Sequence, residues 1–331
     1  MKSKKSLFLG VSLVALLLTS CGSSEPFDPF FGGSKNNSKV PAPVTKNIIP
    51  DFDNLSIVEK VAFGIEPTSY QGTDYVTYGL YPQTAVTDEK IAEYIEKYGA
   101  KYSRKNWTYY DGSFYCQSKA VSMGGTTFNN GVRIETFKYY WFKLEPIVWE
   151  MVNYGNAFVS AKVLDYQVYH TSTKTRYINE RNVNPNNYQY CYLREWLNSD
   201  FINLAFSLGD NYLETSDVDN SSVSTATLRV NNNACQNTFD KVYVPCHRDI
   251  KDGEAVFNFE LLSAKATDYA IAQGTYYNYP SYNAEYWTRS PDGTYIDTAF
   301  MMNEDSYVVT TCVDALCGIR PMISIAGNPL Y

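Results

Sequence analysis

The chain has 331 residues, enough for one large domain or two small ones and enough to bury a core without covalent staples. A formal charge of -7 argues against a protein that tracks nucleic-acid phosphates, and 30 Tyr against only 2 His leave little for His-rich metal centres or for Ser-His and Cys-His catalysis. Aromatics at 16% with charged residues at 19% exclude a disordered chain.

The first element is an address label. Lys2, Lys4 and Lys5 precede an apolar run over 7–18, shorter than the roughly 20 residues that a spanning helix needs. The run ends in Leu18-Thr19-Ser20-Cys21, which resembles a bacterial lipobox. Residues 1–20 are therefore expected to be a lipoprotein signal peptide, with Cys21 diacylated as the mature N-terminus; an ordinary secretory peptide is the alternative. Two acyl chains anchor stably where one does not. Loss of the three lysines leaves the mature chain at about -10, so lipid rather than charge would hold it on the extracytoplasmic face of the cell membrane.

Residues 21–55 are rich in Gly, Ser, Asn and Pro without a periodic apolar face, and read as a flexible tether with a span of roughly 30–35 Å. Phe27, Phe30 and Phe31 within it have two destinations, the domain or lipid. Six further cysteines (Cys116, Cys191, Cys235, Cys246, Cys312 and Cys317) leave both disulfides and buried free thiols open. No C-x-x-C pair occurs, which excludes zinc ribbons and thioredoxin-type redox sites.

From 56 to 331 no Pro/Gly/Ser-rich break separates two cores, so a single domain is expected. Thr87 caps a predicted helix starting at Asp88, with Ile91, Tyr94, Ile95 and Tyr98 on one stripe and Gly99 as its stop. The segment 147–165 reads as a hairpin turning at 153–156. Leu193, Trp196, Leu197 and Phe201 form the stripe of a second helix running to Ala205. A polar stretch over 216–236 reads as a long ordered loop, Thr267 to Gln273 as a short helix stopped by Gly274, and 318–325 as one terminal core strand. The fold class is α+β, with short antiparallel strands and few helices.

Several phrases carry a family signal: Tyr78-Gly79-Leu80-Tyr81-Pro82-Gln83-Thr84, Tyr140-Trp141-Phe142-Lys143-Leu144-Glu145-Pro146-Ile147-Val148-Trp149, Val163-Leu164-Asp165 and Leu193-Arg194-Glu195-Trp196-Leu197-Asn198. Asn237-Thr238-Phe239-Asp240-Lys241-Val242, Ala266-Thr267-Asp268-Tyr269-Ala270, Tyr286-Trp287-Thr288-Arg289-Ser290-Pro291 and Gly318-Ile319-Arg320-Pro321 follow. In this order, from Tyr78 to Ile325, they resemble a bacterial family of unknown function, number six-two-seven-three. Its aromatic-x-Arg-Ser-Pro and Gly-x-Arg-Pro segments are similar to those of the formylglycine-generating-enzyme group. That similarity implies an irregular C-type-lectin-like domain with both segments as late core strands. It does not imply the oxidase activity, because Cys312 and Cys317 do not match that group's cysteine setting. The chain departs from the family at Tyr243-Val244-Pro245-Cys246-His247-Arg248-Asp249, where a Leu-Leu-Ser-x-x-Glu run is usual.

The candidate ligand-binding residues are Tyr81, Trp287, Arg289 and Arg320, all within these phrases. An Arg fork suits a carboxylate or sulfate, but equally a buried Asp or carbonyl that locks the fold. Trp149, Trp196, Trp287 and Trp141 can stack on sugars or fill the core. Asp217, Asp219 and Asn220, with Asn231 to Asn233, supply oxygens of the kind calcium takes, although the spacing is not that of an EF-hand and turn-forming residues explain the same letters. No other cofactor is indicated. Glu145 and Glu150, five apart on a strand, face opposite sides and do not make an acid–base pair. His247 beside Arg248 and Asp249 reads as a base with its orienter or as a solvated loop. No G-x-S-x-G, P-loop, H-E-x-x-H or G-x-G-x-x-G occurs, and no catalytic residue is assigned.

The expectation is a lipid-anchored surface protein whose extracellular domain binds a glycan or a protein, with the tyrosine surplus as contact surface and no nucleic-acid partner. An extracellular enzyme on the same fold (a hydrolase or a cysteine-dependent oxidase) and a structural envelope protein are the alternatives.

Overall fold

Tyr139–Met151, at 13 residues the longest of the described strands and rich in aromatic and β-branched side chains, organises the main sheet. One of its edges pairs antiparallel along its length with Tyr75–Ala85. The other carries Ser113–Lys119 against its first half and Ala157–Ser160 against its second. The computed structural model describes residues 47–68, 74–103, 105–122, 125–152, 157–222, 230–250, 257 and 259–327. The signal peptide, Cys21, the three tether phenylalanines and the 153–156 turn lie outside them.

Outward from Ser113–Lys119 come Trp107–Tyr110 and Ala100–Tyr102; outward from Ala157–Ser160 comes Met322–Ile325, which also pairs with Leu213–Glu214 and Val242–Tyr243. The described strands of this sheet number nine. Gly79 sits at a register shift between Thr77 and Leu80 with φ +74, and a Cβ there would lie 2.7 Å from the Phe206 ring. The bend thus needs glycine for both its left-handed backbone and its close approach. Phe142 and Val159 face one apolar core, Ile147, Trp149 and Phe158 another.

Smaller sheets complete the fold. Tyr286–Pro291, Thr298–Met302 and Val308–Cys312 form a three-stranded sheet, and Leu316–Ile319 pairs with Asp165–Val168. A four-stranded sheet runs Tyr277–Asn278, Asn283–Ala284, Lys265–Ala266 and Lys162–Val163, its last pairing being parallel. Mostly antiparallel strands with few helices make the domain α+β, as expected.

The helix after Thr87 spans Glu89–Tyr98, one residue later than expected: Asp88 is its cap, accepting from the Lys90 and Ile91 N–H groups. Gly99 ends it in extended backbone, and a Cβ there would meet Thr108 at 2.2 Å, so close packing rather than a left-handed turn requires this glycine. The 267–273 helix is as expected, capped by Thr267 and closed by Gly274 at φ +112.

Three expectations are corrected. The tether does not extend to 55, because Asn47 Nδ2 donates to the Tyr98 carbonyl at 3.0 Å and Phe52 packs among Phe63, Tyr102 and Phe114. The terminal strand is two strands, Leu316–Ile319 and Met322–Ile325, which pair in different sheets across the Arg320-Pro321 break; proline has no N–H to continue a ladder. The 216–236 segment is not all loop, since Ser216–Val218 pairs with Thr238–Asp240.

Candidate functional site

The four-stranded small sheet has one polar face. Its register puts Asn278 opposite Asn283, Asn283 opposite Lys265, and Lys265 opposite Lys162, giving an unbroken polar row across all four strands. The neighbouring positions Val163, Ala266 and Ala284 are buried in the core, so strand alternation itself aims the row outward.

Beside this row lies a cleft of about 570 Å³, lined by Lys162 and Lys265, by Gln83 and Thr84 from the end of the 75–85 strand, by Asn129 and Asn130, by Thr267 and Asp268, and by Pro280 and Tyr282. Asp268 fixes its floor. One carboxylate oxygen accepts the Ala85 N–H at 3.0 Å, and the other accepts the backbone N–H and the side-chain Nδ2 of Asn129, both at 2.8 Å. The buried Gln83 amide donates to the Glu145 and Pro146 carbonyls at 3.1 Å. On the rim, the Tyr282 ring stacks on Tyr277 at 5.2 Å between centroids, and Tyr279 is 72% exposed. Tyr277 is itself pinned, its hydroxyl bridging the N–H and carbonyl of Thr127 at 3.1 Å each.

The four ligand-binding candidates named from the sequence are not brought together and do not line this cleft. Tyr81 is buried, with its hydroxyl donating to the Asp165 carboxylate; burial raises the pKa of both groups. Trp287 has no exposed surface; its Nε1–H donates to the Gln167 carbonyl at 2.9 Å and its ring abuts Tyr169. A ring so enclosed is core and offers no face to a sugar. Trp149, Trp196 and Trp141 are buried as well.

Arg289, on the Tyr286–Pro291 strand, donates to the Val244 carbonyl at 2.8 Å and to Asp249 of the His247–Ile250 helix at 3.1 Å, tying that segment to the strand. Arg320, fully buried, donates to the Ser160 and Leu261 carbonyls. Both guanidinium groups therefore serve the fold-locking alternative.

Asp217 accepts from Asn237 at 3.1 Å, Asp219 from the Ser221 N–H at 2.9 Å, and Asn220 donates to Thr238 at 3.0 Å. These side chains stabilise their own hairpin, and among the described residues no group of three or more His, Cys, Asp or Glu is placed to hold a metal. His247 is on a short buried helix, edge-on to Phe300, so the solvated-loop reading is corrected: apolar packing has drawn the segment inward. The six described cysteines are free thiols; Cys312 is exposed whereas Cys317 is enclosed, its pKa raised well above normal by burial.

Sequence reasoning missed Lys162, Lys265, Asn129 and Asp268. The available signal was slight: Ala161-Lys162-Val163 and Ala264-Lys265-Ala266 each set one lysine between small or apolar residues, but nothing local shows that the two triplets pair.

No curated protein and no solved structure matches the chain. The family described as Domain of unknown function (DUF6273) matches residues 154–327, more than half of the sequence. The phrases between Tyr78 and Trp149 lie outside that match, although the Tyr139–Met151 strand pairs directly with Ala157–Ser160 inside it. By this match the chain belongs to the DUF6273 family.

Proposed function

We propose that this chain is a lipid-anchored protein of the extracytoplasmic face, and that its C-type-lectin-like domain binds a glycan in the cleft beside Lys162 and Lys265. The observation that carries this reading is the cleft itself. At about 570 Å³ it falls within the roughly 300–1,000 Å³ range of small-molecule sites. Its lining sets amide, hydroxyl and ammonium groups beside the apolar surface of Ala266, Pro280 and one stacked tyrosine, which suits a hydroxyl-rich ligand with a ring face to cover. Asp268, the carboxylate in the lining, is engaged by three N–H donors and serves as scaffold, which favours binding over acid–base chemistry. The lectin-like assignment draws on the Tyr286–Pro291 and Leu316–Ile319 strands, formed where the family phrases lie. The anchor draws on Leu18-Thr19-Ser20-Cys21.

The full chain in detergent, applied to a glycan array, is expected to retain a defined set of oligosaccharides and to lose them on Tyr282→Ala with an unchanged melting temperature. Binding that survives Tyr282→Ala, or no retention at all, would sink the cleft assignment. Cys21→Ala is expected to abolish acyl labelling and release the protein to the medium; labelling that persists refutes the anchor.

A further inference from the structure

We propose that the cleft's ligand is anionic: a saccharide carrying carboxylate or sulfate groups, held jointly by Lys162 and Lys265. This inference rests on the glycan reading above and deepens it.

The argument begins with register. Lys162 and Lys265 are direct partners in a parallel pairing, so their side chains leave the same face of the sheet from adjacent strands. Like charges placed directly opposite one another destabilise a sheet unless something lies between them. Among the described residues nothing does so: neither lysine has an ion-pair partner, whereas Lys138 pairs with Glu135 and Lys241 with Asp210, each at 2.8 Å or less. Among the described residues the one acid lining the cleft is Asp268, whose oxygens already accept from Ala85 and Asn129. Further along the row, Asn283 and Asn278 extend the polar surface, and Asn278 reaches Asp305 at 2.8 Å.

Two exposed ammonium groups on neighbouring strands can donate at once to the oxygens of a single carboxylate or sulfate. Such charge-assisted bonds are stronger than neutral ones. The chain as a whole carries -7, so its net charge does not favour an anionic ligand and the attraction has to come from the paired ammonium groups themselves.

The test uses the full chain in detergent and calorimetric titration with three probes: trigalacturonate, a heparin-derived tetrasaccharide and neutral galactotriose. At least one acidic probe is expected to bind about tenfold or more tightly than galactotriose, and the one that binds identifies carboxylate or sulfate as the recognised group. Lys162→Gln and Lys265→Gln are each expected to weaken that probe by about tenfold, with melting temperature unchanged or raised because the repulsion is relieved. Raising salt from about 20 mM to about 200 mM should weaken the acidic probe and spare the neutral one. Galactotriose binding as tightly as either acid, with affinity indifferent to both substitutions, overturns the anionic inference while leaving the glycan reading standing. Binding of none of the three overturns both.

Discussion

At Arg320 the guanidinium is sealed from solvent between the rings of Phe257 and Tyr286, 5.6 and 5.3 Å from their centroids, and it donates to two carbonyls, Ser160 and Leu261, from different parts of the chain. Glu150 lies 3.6 Å from its Nη2. A planar fork with several donors can meet all of these at once; an ammonium cannot. Arg320→Lys keeps the charge but leaves one carbonyl and much of the ring packing without a partner. It should destabilise the fold by about 3–5 kcal/mol in urea unfolding, the usual cost of breaking a buried charged contact. A loss under about 1 kcal/mol would show that the fork is not what holds these segments. The Gly-x-Arg-Pro phrase marked this residue in the sequence, but its role was not legible there. Whether an arginine binds a ligand or locks a fold depends on what it meets, and here the accepting carbonyls are 59 and 160 positions away.

The segment 192–205 shows which parts of an element are local. Its stripe of Leu193, Trp196, Leu197 and Phe201 is buried as the helical period implies, yet the helix is interrupted: Tyr192–Trp196 and Ile202–Ala205 are α-helical while Leu197–Phe201 is a π-helical turn. Asn198 occupies that turn. Its Nδ2 donates to the Val242 carbonyl at 2.8 Å, and its Oδ1 accepts the Lys241 and Val242 N–H groups at 3.0 and 3.2 Å. One amide side chain thus caps the short Val242–Tyr243 strand from a helix. Asn198→Ala leaves these backbone groups unpaired and is expected to cost about 1–3 kcal/mol, with faster hydrogen exchange at Lys241 and Val242 than elsewhere in the main sheet. Uniform exchange across the sheet would refute the capping role. Helices with local caps, at 89–98 and 268–273, were legible because their start and stop signals lie within them. The two-residue strands were not: Lys162–Val163 and Lys265–Ala266 exist only through their pairing, which no window of sequence contains. The candidate cleft inherits that non-locality, being assembled from five separate stretches of chain.

Across the whole molecule, the main sheet joins strands from both sides of residue 154 at the pairing of Tyr139–Met151 with Ala157–Ser160, so the stability of the domain is shared beyond the stretch that defines its family. Two titratable groups, the buried His170 and the half-buried Glu285, give that shared stability opposing pH dependences. Burial, and then the charge of Arg176, lowers the His170 pKa from 6.5 to about 4, and its Nδ1 accepts the Tyr192 N–H at 3.1 Å, as a neutral ring must. Between 6.5 and about 4 the unfolded chain takes up a proton that the folded one refuses, so this contribution is complete above 6.5 and declines as pH falls. Glu285 has the reverse sign. Burial, and then the nearby Glu304 charge, raises it from 4.5 to about 7. The folded carboxyl keeps its proton where the unfolded one ionises, so its contribution is complete below 4.5 and is lost as pH rises through about 7. The two slopes oppose each other from 4.5 to 6.5. His170→Gln should make stability in urea fall more steeply with rising pH across this window than in the parent chain, and Glu285→Gln should tilt it the other way. Subtracting the parent profile cancels every other titrating group, so difference curves that stay flat for both variants would show that neither side chain titrates differently on folding.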